Sequence, residues 1–165
     1  MIIRPESERD CTAIRKLHSE AFRSDEEACL VDRLRRTGAL AVSLVAEDEQ
    51  QVIGHIALSP MQRRADQPVT LGLGPLAVVP ERQNEGVGSA LVEAAIEEAR
   101  AEGVGALFVL GHPDYYPRFG FLPANHRGIQ CVYEGPPEAF MVIELQPEGL
   151  RGYSGVVRYH EAFDM

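Results

Sequence analysis

The sequence predicts an α+β fold in a single domain over residues 1–165, with a central mixed and mostly antiparallel sheet that is flanked by helices. Two apolar patterns of helical spacing open the chain, and three consecutive extended runs follow them. A third helical pattern joins the last of these runs to a further extended run, which makes a βαβ unit and therefore a parallel pair of strands. The length of 165 residues suits one domain with a substantial core.

Each predicted helix carries apolar residues on one face at steps of three or four. The first face ends near Phe22, Gly38 is placed to end the second helix, and the third helix runs from about residue 86 to residue 102. His18 lies on the first apolar face, and no second ligand stands at helical spacing from it. We therefore interpret His18 as a histidine at the edge of the core and not as a metal ligand.

Extended runs define the predicted strands, at residues 2–3, 40–47, 51–58, 70–79, 106–110, 129–133, 140–145 and about 156–159. A polar turn at residues 48–50 joins the second and third strands as a hairpin. Pro75 lies within the fourth strand, where it removes one backbone donor. This proline predicts a bulge or a splayed edge in the fourth strand.

Composition and charge disfavour several classes of protein. The net charge of −9 argues against binding to nucleic acid or to anionic membranes, because both use basic surfaces. The three cysteines are far apart and form no metal-ligand pattern, which is typical of a reducing compartment. The N-terminus becomes charged after three residues, and no apolar run approaches the roughly 18 residues of a membrane span. We expect a cytoplasmic protein that uses no metal, for which a homodimer is one possible assembly.

Residues 71–100 pass from an apolar strand through a glycine-rich turn directly into a long helix. The first amides of a helix have no intrahelical acceptor, and the helix dipole adds partial positive charge there, so this turn predicts an anion site. Gly86 and Gly88 have no Cβ, which lets a phosphate approach the backbone. The turn lacks the Gly-Lys-Ser/Thr ending of a Walker loop, and Gly72-Leu73-Gly74 lacks the third glycine of a dinucleotide fingerprint.

Two motifs resemble those of one enzyme superfamily. Residues 83–88 read Gln-x-x-Gly-x-Gly between a strand that ends LAVVPE and a helix, and residues 116–121 read Tyr-x-x-x-Gly-Phe after the fifth strand. With their spacing and the order of strands and helices, these motifs resemble the N-acetyltransferases of the Gcn5-related (GNAT) superfamily. Further segments, among them VIGHIALSP and the ending GVVRYHEAF, resemble its bacterial YhbS-like subgroup over nearly the whole chain.

The resemblance implies an acyl-CoA N-acyltransferase fold with acetyl-CoA as cosubstrate. In the superfamily the fourth and fifth strands splay apart, and the pantetheine arm of the cosubstrate lies between them. The implied contacts to the pantetheine amides come from the backbone of Leu76, Ala77 and Val78. The implied contacts to the pyrophosphate come from the backbone N–H groups of Gln83, Asn84, Glu85, Gly86, Val87, Gly88 and Ser89. Phe119 would help to line the cosubstrate channel, and Tyr116 matches the tyrosine that superfamily members often use to protonate the departing thiolate.

The general base stays open at this level. Some superfamily members carry a glutamate on the fourth strand, but residues 70–79 contain no carboxylate. His112 follows the fifth strand directly, and histidine titrates in the suitable range, although this residue could equally support the loop through hydrogen bonds to the backbone. Glu47, His55 and Asp114 are the other candidates, and a chain of water molecules could replace a dedicated base.

The chemistry of acetyl transfer fits these groups. A tyrosine hydroxyl has a pKa near ~10, close enough to the ~8.5 of a thiol to protonate the thiolate, and a strand amide such as that of Val78 can donate to the thioester oxygen. We therefore predict an acetyl-CoA-dependent N-acetyltransferase that acts on a primary amine of a small molecule or a protein. One alternative is a non-catalytic acyl-CoA-binding sensor or partner module, which the missing carboxylate on the fourth strand leaves open. Another is an acyltransferase for longer chains.

Overall fold

The computed structural model describes residues 1–164. Its helices are α1 (Cys11–Phe22), α2 (Glu26–Arg36) and α3 (Val87–Ala101). Its strands are β1 (Ile2–Pro5), β2 (Val42–Asp48), β3 (Gln51–Pro60), β4 (Thr70–Val78), β5 (Ala106–Leu110), β6 (Leu122–Pro123), β7 (Ile129–Cys131), β8 (Phe140–Glu144) and β9 (Gly155–Val157). One sheet has the strand order β1-β2-β3-β4-β5-β8-β6, and a second sheet consists of β7 and β9.

The chain divides into two compact units. The first unit comprises Met1–Ser59 and Gly74–Glu98, and the second comprises Pro60–Leu73 and the described residues from Ala99 onward. In the first unit, β1 and β3 both pair antiparallel with β2, and the predicted β2–β3 hairpin closes at residues 48–51.

The two faces of β3 carry different helices, since successive residues of a strand point to opposite sides. A Cβ on Gly54 would lie 2.9 Å from Leu91 of α3, whereas the next residue, His55, contacts His18 of α1. Helices α1 and α3 therefore cover opposite faces of the sheet in the first unit.

The helices form where the apolar periodicity predicts them. Burial is confined to one face of α1 and α2, at Ile14, Leu17, His18, Ala28, Val31 and Leu34. Gly38 follows α2 with φ +72°, a left-handed conformation that glycine adopts without strain and that ends the helix as predicted.

A buried polar network ties α1 and α2 to the sheet of the first unit. His18 Nε2 lies 2.8 Å from His55 Nδ1, and His55 Nε2 lies 2.8 Å from the Ser43 hydroxyl. The Glu6 carboxylate accepts hydrogen bonds from that hydroxyl and, at 3.0 Å, from Arg35 Nε of α2. Both histidines have an exposed fraction of 0%, so His18 belongs to the core itself and not to the edge that the sequence predicts.

The proton positions in this network follow from its geometry. The Ser43 hydroxyl has one proton, which it donates to Glu6, so it accepts the N–H of His55 Nε2. His55 Nδ1 is then an acceptor for His18 Nε2–H, which leaves His18 Nδ1 without a partner among residues 1–164. Burial lowers the pKa of His18 to about 3, and repulsion from a protonated His55 and from Arg35 acts in the same direction. Burial also lowers the pKa of His55, against the effect of Glu6, and both rings are therefore neutral at pH 7.

The second unit contains the predicted parallel pair, in which β4 and β5 are aligned from Thr70↔Ala106 to Leu73↔Val109. This ladder ends at Leu73 although β4 continues to Val78, and Pro75 has no N–H with which to extend it. Strand β8 pairs antiparallel with both β5 and β6. The sheet is thus mixed and mostly antiparallel, as the sequence predicts.

Aromatic side chains form much of the core of the second unit. Phe108 stacks on Phe140 with ring centroids 5.4 Å apart, and both belong to one buried cluster with Tyr153 and Tyr159. The predicted terminal strand lies at Gly155–Val157 and pairs in parallel with β7. The sequence does not predict that these two strands form a separate sheet, because strands of 3 residues are too short to carry a periodic signal.

Candidate active site

The turn between β4 and α3 presents backbone N–H groups at the start of a helix. Residues 83–86 are exposed, and α3 begins at Val87. Ala90 N–H donates to the Gly86 carbonyl at 3.0 Å. The amides of Val87 and Gly88 lie before this donor, in the first turn of the helix, where a backbone N–H has no acceptor within the helix. Gly86 has φ +89°, and no atom lies within 4 Å of the position that a Cβ would take. The turn therefore has room for a phosphate group, which the helix dipole favours.

Ion pairs and hydrogen bonds hold this turn in place. Arg82 Nη1 lies 2.9 Å from Asp48 of β2, and Arg82 Nε lies 3.0 Å from Glu85. Arg82 thus joins the turn to the β2–β3 hairpin. It also partly offsets the charge of Glu85, a carboxylate that would repel a phosphate at this place.

The last residues of β4 alternate in burial, with Ala77 buried and Leu76 and Val78 half-buried. The Val78 carbonyl accepts a hydrogen bond from Gln83 Nε2 at 3.1 Å, so the protein itself engages this carbonyl. If Val78 stabilises the negative charge on a thioester oxygen, it does so through its N–H group, because the developing charge requires a hydrogen-bond donor.

Tyr116 opens a short 3-10 turn, Tyr116–Phe119, after β5. Its side chain has an exposed fraction of 9%, and its ring lies edge-on to that of Phe121. A Cβ on Gly111 would lie 2.5 Å from the Tyr116 ring, so this packing requires a glycine. Burial, assisted by Tyr115, raises the pKa of Tyr116 to about 12. The hydroxyl is therefore protonated at neutral pH, but it is a weaker acid than an ordinary tyrosine, whose pKa is near ~10.

Phe119 and Arg118 are arranged around the ring of Tyr115. The Arg118 guanidinium lies 4.4 Å from the centroid of that ring, and Arg118 Nε donates to the Tyr115 carbonyl at 2.8 Å. Phe119 is half-buried and lies edge-on to the same ring, with centroids 5.3 Å apart. The centroids of Phe119 and Tyr116 are 6.3 Å apart, so the second unit brings these two predicted site residues together.

His112 and Asp114 are exposed residues of the loop after β5. The His112 carbonyl accepts the N–H of Tyr115 at 3.1 Å, so the backbone of His112 supports the turn that carries Tyr116. The exposed imidazole can exchange protons with solvent, which a general base requires. This placement is compatible with His112 as a general base and also with His112 as a residue that supports the loop.

The other two candidates for the base, His55 and Glu47, are both engaged in side-chain hydrogen bonds. His55 is fully buried in the network with His18. Glu47 accepts a hydrogen bond from Arg4 at 2.9 Å and lines a cavity of about 840 Å³ beside α1. None of residues 83–89 lines that cavity, so it does not contain the turn predicted to bind the pyrophosphate.

Tyr159 is a buried side chain that the motifs do not identify. A Cβ on Gly72 would lie 2.5 Å from the Tyr159 ring, so the ring packs directly against the backbone of β4. A glycine inside an apolar strand is a signal of such a close approach. Gly72 is therefore the feature of the sequence that could have pointed to a large side chain at this place.

Among residues 1–164, no helix combines the length and the apolar character needed to cross a bilayer. The same residues include no group of three or more His, Cys, Asp or Glu side chains that could hold a metal ion.

The family assignment follows from comparison with known sequences. Residues 11–121 match the model of the acetyltransferase (GNAT) family. The matched stretch extends from the first residue of α1 through the turn before α3 to the segment of Tyr116. The chain belongs to the acetyltransferase (GNAT) family, as the two motifs predict.

Relatives with high similarity are bacterial. The Escherichia coli K12 protein described as "Uncharacterized N-acetyltransferase YhbS" is 39% identical over 165 residues, which cover 99% of each chain. The crystal structure of E. coli YhbS in complex with CoA matches with a TM-score of 0.92 and 38% identity, covering 99% of this chain and 92% of that one. A GNAT family acetyltransferase from Brucella melitensis in complex with acetyl-CoA matches with a TM-score of 0.82 and 36% identity, covering 99% and 97%. These similarities confirm the predicted fold and the resemblance to the YhbS-like subgroup.

Proposed function

We propose that this chain, as one domain over residues 1–165, transfers the acetyl group of acetyl-CoA to a primary amine of a small molecule or a protein. Membership of the acetyltransferase (GNAT) family supports the reaction class. The complexes of E. coli YhbS with CoA and of the Brucella melitensis protein with acetyl-CoA support the cosubstrate. The observation that carries the proposal is the exposed, open turn at Gly86 directly before α3.

The pyrophosphate of acetyl-CoA is bound in this proposal by the N–H groups of residues 83–89. The positive φ of Gly86 and the lack of any atom near its missing Cβ support a close approach of the phosphates. Leu76, Ala77 and Val78 offer backbone groups to the pantetheine arm, and Phe119 lines its channel. The ion pair of Arg82 with Glu85 supports the proposal, because it lowers the negative charge beside the phosphates.

The acyl transfer itself joins the acceptor nitrogen to the thioester carbon and breaks the carbon–sulfur bond. Tyr116 gives its hydroxyl proton to the departing sulfur, and His112 removes the proton that the nitrogen loses. The buried, protonated state of Tyr116 supports the first role, and the exposure of His112 supports the second. The N–H of Val78 donates to the thioester oxygen as negative charge develops there.

Release of CoA thiol from acetyl-CoA across a panel of primary amines tests this function, with the affinity for acetyl-CoA measured in parallel. Amine-dependent thiol release is the expected result. Tight binding of acetyl-CoA without turnover on any amine would favour the alternative, a non-catalytic acyl-CoA-binding sensor or partner module. Faster turnover with longer acyl chains would favour the acyltransferase for longer chains.

We place this activity in the cytoplasm. Cys11, Cys29 and Cys131 are all free thiols, which supports a reducing compartment.

A further inference from the structure

Tyr159 follows β9 in the second unit and is almost completely buried, with an exposed fraction of 5%. Its ring lies against β4 at Gly72, and the ring of Phe163 packs on it with centroids 5.0 Å apart. A second tyrosine, Tyr153, belongs to the same buried cluster and has an exposed fraction of 7%. The two tyrosines therefore differ little in burial.

Their hydroxyl groups differ in hydrogen bonding. The Tyr153 hydroxyl donates to the Pro68 carbonyl at 2.6 Å and accepts from the Thr70 hydroxyl at 3.1 Å. The Tyr159 hydroxyl is buried, and its O–H has no hydrogen-bond acceptor within residues 1–164. Buried polar groups are nearly always satisfied in folded proteins, so an unused O–H donor at this position calls for a partner.

The surroundings of this hydroxyl show where such a partner would lie. Burial raises the pKa of Tyr159, and Cys131, Tyr133 and Tyr116 add to the effect, while the backbone N–H of Leu110 lowers it. The Tyr159 ring lies edge-on to that of Phe140, with centroids 6.4 Å apart, and Phe140 is the strand partner of Leu110, the last residue of β5. The next residue of the chain, Gly111, is the one against which the Tyr116 ring packs. A neutral phenol there acts as a donor, and the partner it lacks is an acceptor such as a carbonyl oxygen.

We infer that the Tyr159 hydroxyl donates a hydrogen bond to a carbonyl oxygen of the bound acyl-CoA, that of the thioester or that of a pantetheine amide. This inference rests on the proposed function, in which the acyl-pantetheine end of the cosubstrate reacts at Tyr116. It makes Tyr159 a further cosubstrate-binding residue, contributed by the C-terminal segment. This position of the Tyr159 ring requires a glycine at residue 72, since a side chain at Gly72 would displace the ring.

The pair Tyr159→Phe and Tyr153→Phe tests the inference in the full chain, with CoA and acetyl-CoA as probes. Tyr159→Phe removes a donor that has no partner in the free protein, so its Tm should equal or exceed that of the wild type, while its Kd for acetyl-CoA rises about 5-fold, as expected for one lost hydrogen bond. Tyr153→Phe removes a satisfied hydroxyl and should show the opposite pattern, with a lower Tm and an unchanged Kd. Calorimetric titration and thermal unfolding measure both quantities.

The two probes separate the two carbonyl groups. If only acetyl-CoA binds more weakly to Tyr159→Phe, the thioester oxygen is the acceptor, and if CoA weakens equally, the acceptor is a pantetheine amide; either result supports the inference. Wild-type affinity of Tyr159→Phe for both probes would overturn it, and so would a lower Tm, because the hydroxyl would then have a partner within the protein. A wild-type protein that binds neither probe would overturn the proposed function and this inference with it.

Discussion

Lowering the pH from 7 to 5 should destabilise the protein through its two buried histidines. His18 and His55 are fully buried and neutral, and protonation of either ring would place a charge in the core near Arg35. In the unfolded chain a histidine takes up its proton at about pH 6.5. Because the pKa of each of these histidines is lower in the folded protein than in the unfolded chain, the unfolded state binds more protons at pH 5. The stability that the neutral rings provide above pH 6.5 is therefore lost as the pH falls.

The size of the loss follows from the pKa of His18, which burial lowers to about 3. Between ~6.5 and ~3, each pH unit costs about 1.4 kcal/mol, so His18 alone should lower the free energy of unfolding by about 2 kcal/mol between pH 7 and pH 5. His55 adds to the loss in the same direction. For a chain of this length, about 2 kcal/mol corresponds to a decrease in Tm of about 4–8 °C.

Protonation of Glu6 does not contribute to the loss of stability between pH 7 and pH 5. Burial would raise the pKa of its carboxyl, but the interactions with His55, Arg35 and Ser43 outweigh burial and lower it to about 2. The stability that this carboxylate provides is therefore present above its ordinary pKa of 4.5 and is lost only at lower pH.

Urea unfolding at pH 7, 6 and 5 measures the effect. The glutamine of His18→Gln keeps an N–H that can donate to His55 Nδ1, but glutamine does not titrate. The decrease in the free energy of unfolding of this variant between pH 7 and pH 5 should therefore be about 2 kcal/mol smaller than that of the wild type. His126→Gln removes an exposed histidine and should keep the wild-type pH dependence. An equal wild-type free energy of unfolding at pH 7 and pH 5 would refute the reasoning, as would a His18→Gln variant with the full wild-type loss.

Four further predictions concern the proposed reaction. Gly86→Asp should weaken acetyl-CoA binding at least about 10-fold, because a carboxylate would repel the pyrophosphate; calorimetric titration measures this, with Gly128→Asp, at φ +70° and equally open, as the control. Equal affinity in these two variants would contradict a phosphate site. Tyr116→Phe should lower kcat about 100-fold with an unchanged Kd for acetyl-CoA, and an unaltered kcat would mean that Tyr116 is not the general acid. Gly111→Ala should lower kcat by displacing the Tyr116 ring. In the double variant with Tyr116→Phe, the increase in activation free energy should be smaller than the sum of the increases in the two single variants. His112→Gln should lower kcat about 100-fold at saturating amine and acetyl-CoA, whereas wild-type kcat would exclude His112 as the base.

The elements near the candidate site are predicted well from the sequence, because the signals are local. The continuous apolar run at residues 106–110 predicts a strand, and β5 occupies Ala106–Leu110. The helical pattern at about residues 86–102 corresponds to α3 at Val87–Ala101. The parallel pairing of β4 with β5 follows from the helix between them, since the connection leaves few alternatives.

The interactions that hold the site are less predictable. No local pattern indicates that Arg82 pairs with Asp48, because the two residues lie on separate elements. The sequence also treats His55 as a candidate base, whereas its burial with His18 makes it part of the core. Such pairs depend on which faces of the sheet the helices cover, and that is decided by packing.

The sequence by itself determined the family, the fold class and the turn predicted to bind acetyl-CoA, because glycine placement, apolar periodicity and motif order are properties of neighbouring residues. Only the tertiary structure decided the protonation states and the hydrogen-bond partners. The neutral histidine pair, the raised pKa of Tyr116 and the unpartnered hydroxyl of Tyr159 all arise from burial. Burial is produced by contacts between distant parts of the chain, and desolvation of a titratable group exists only once those contacts have formed.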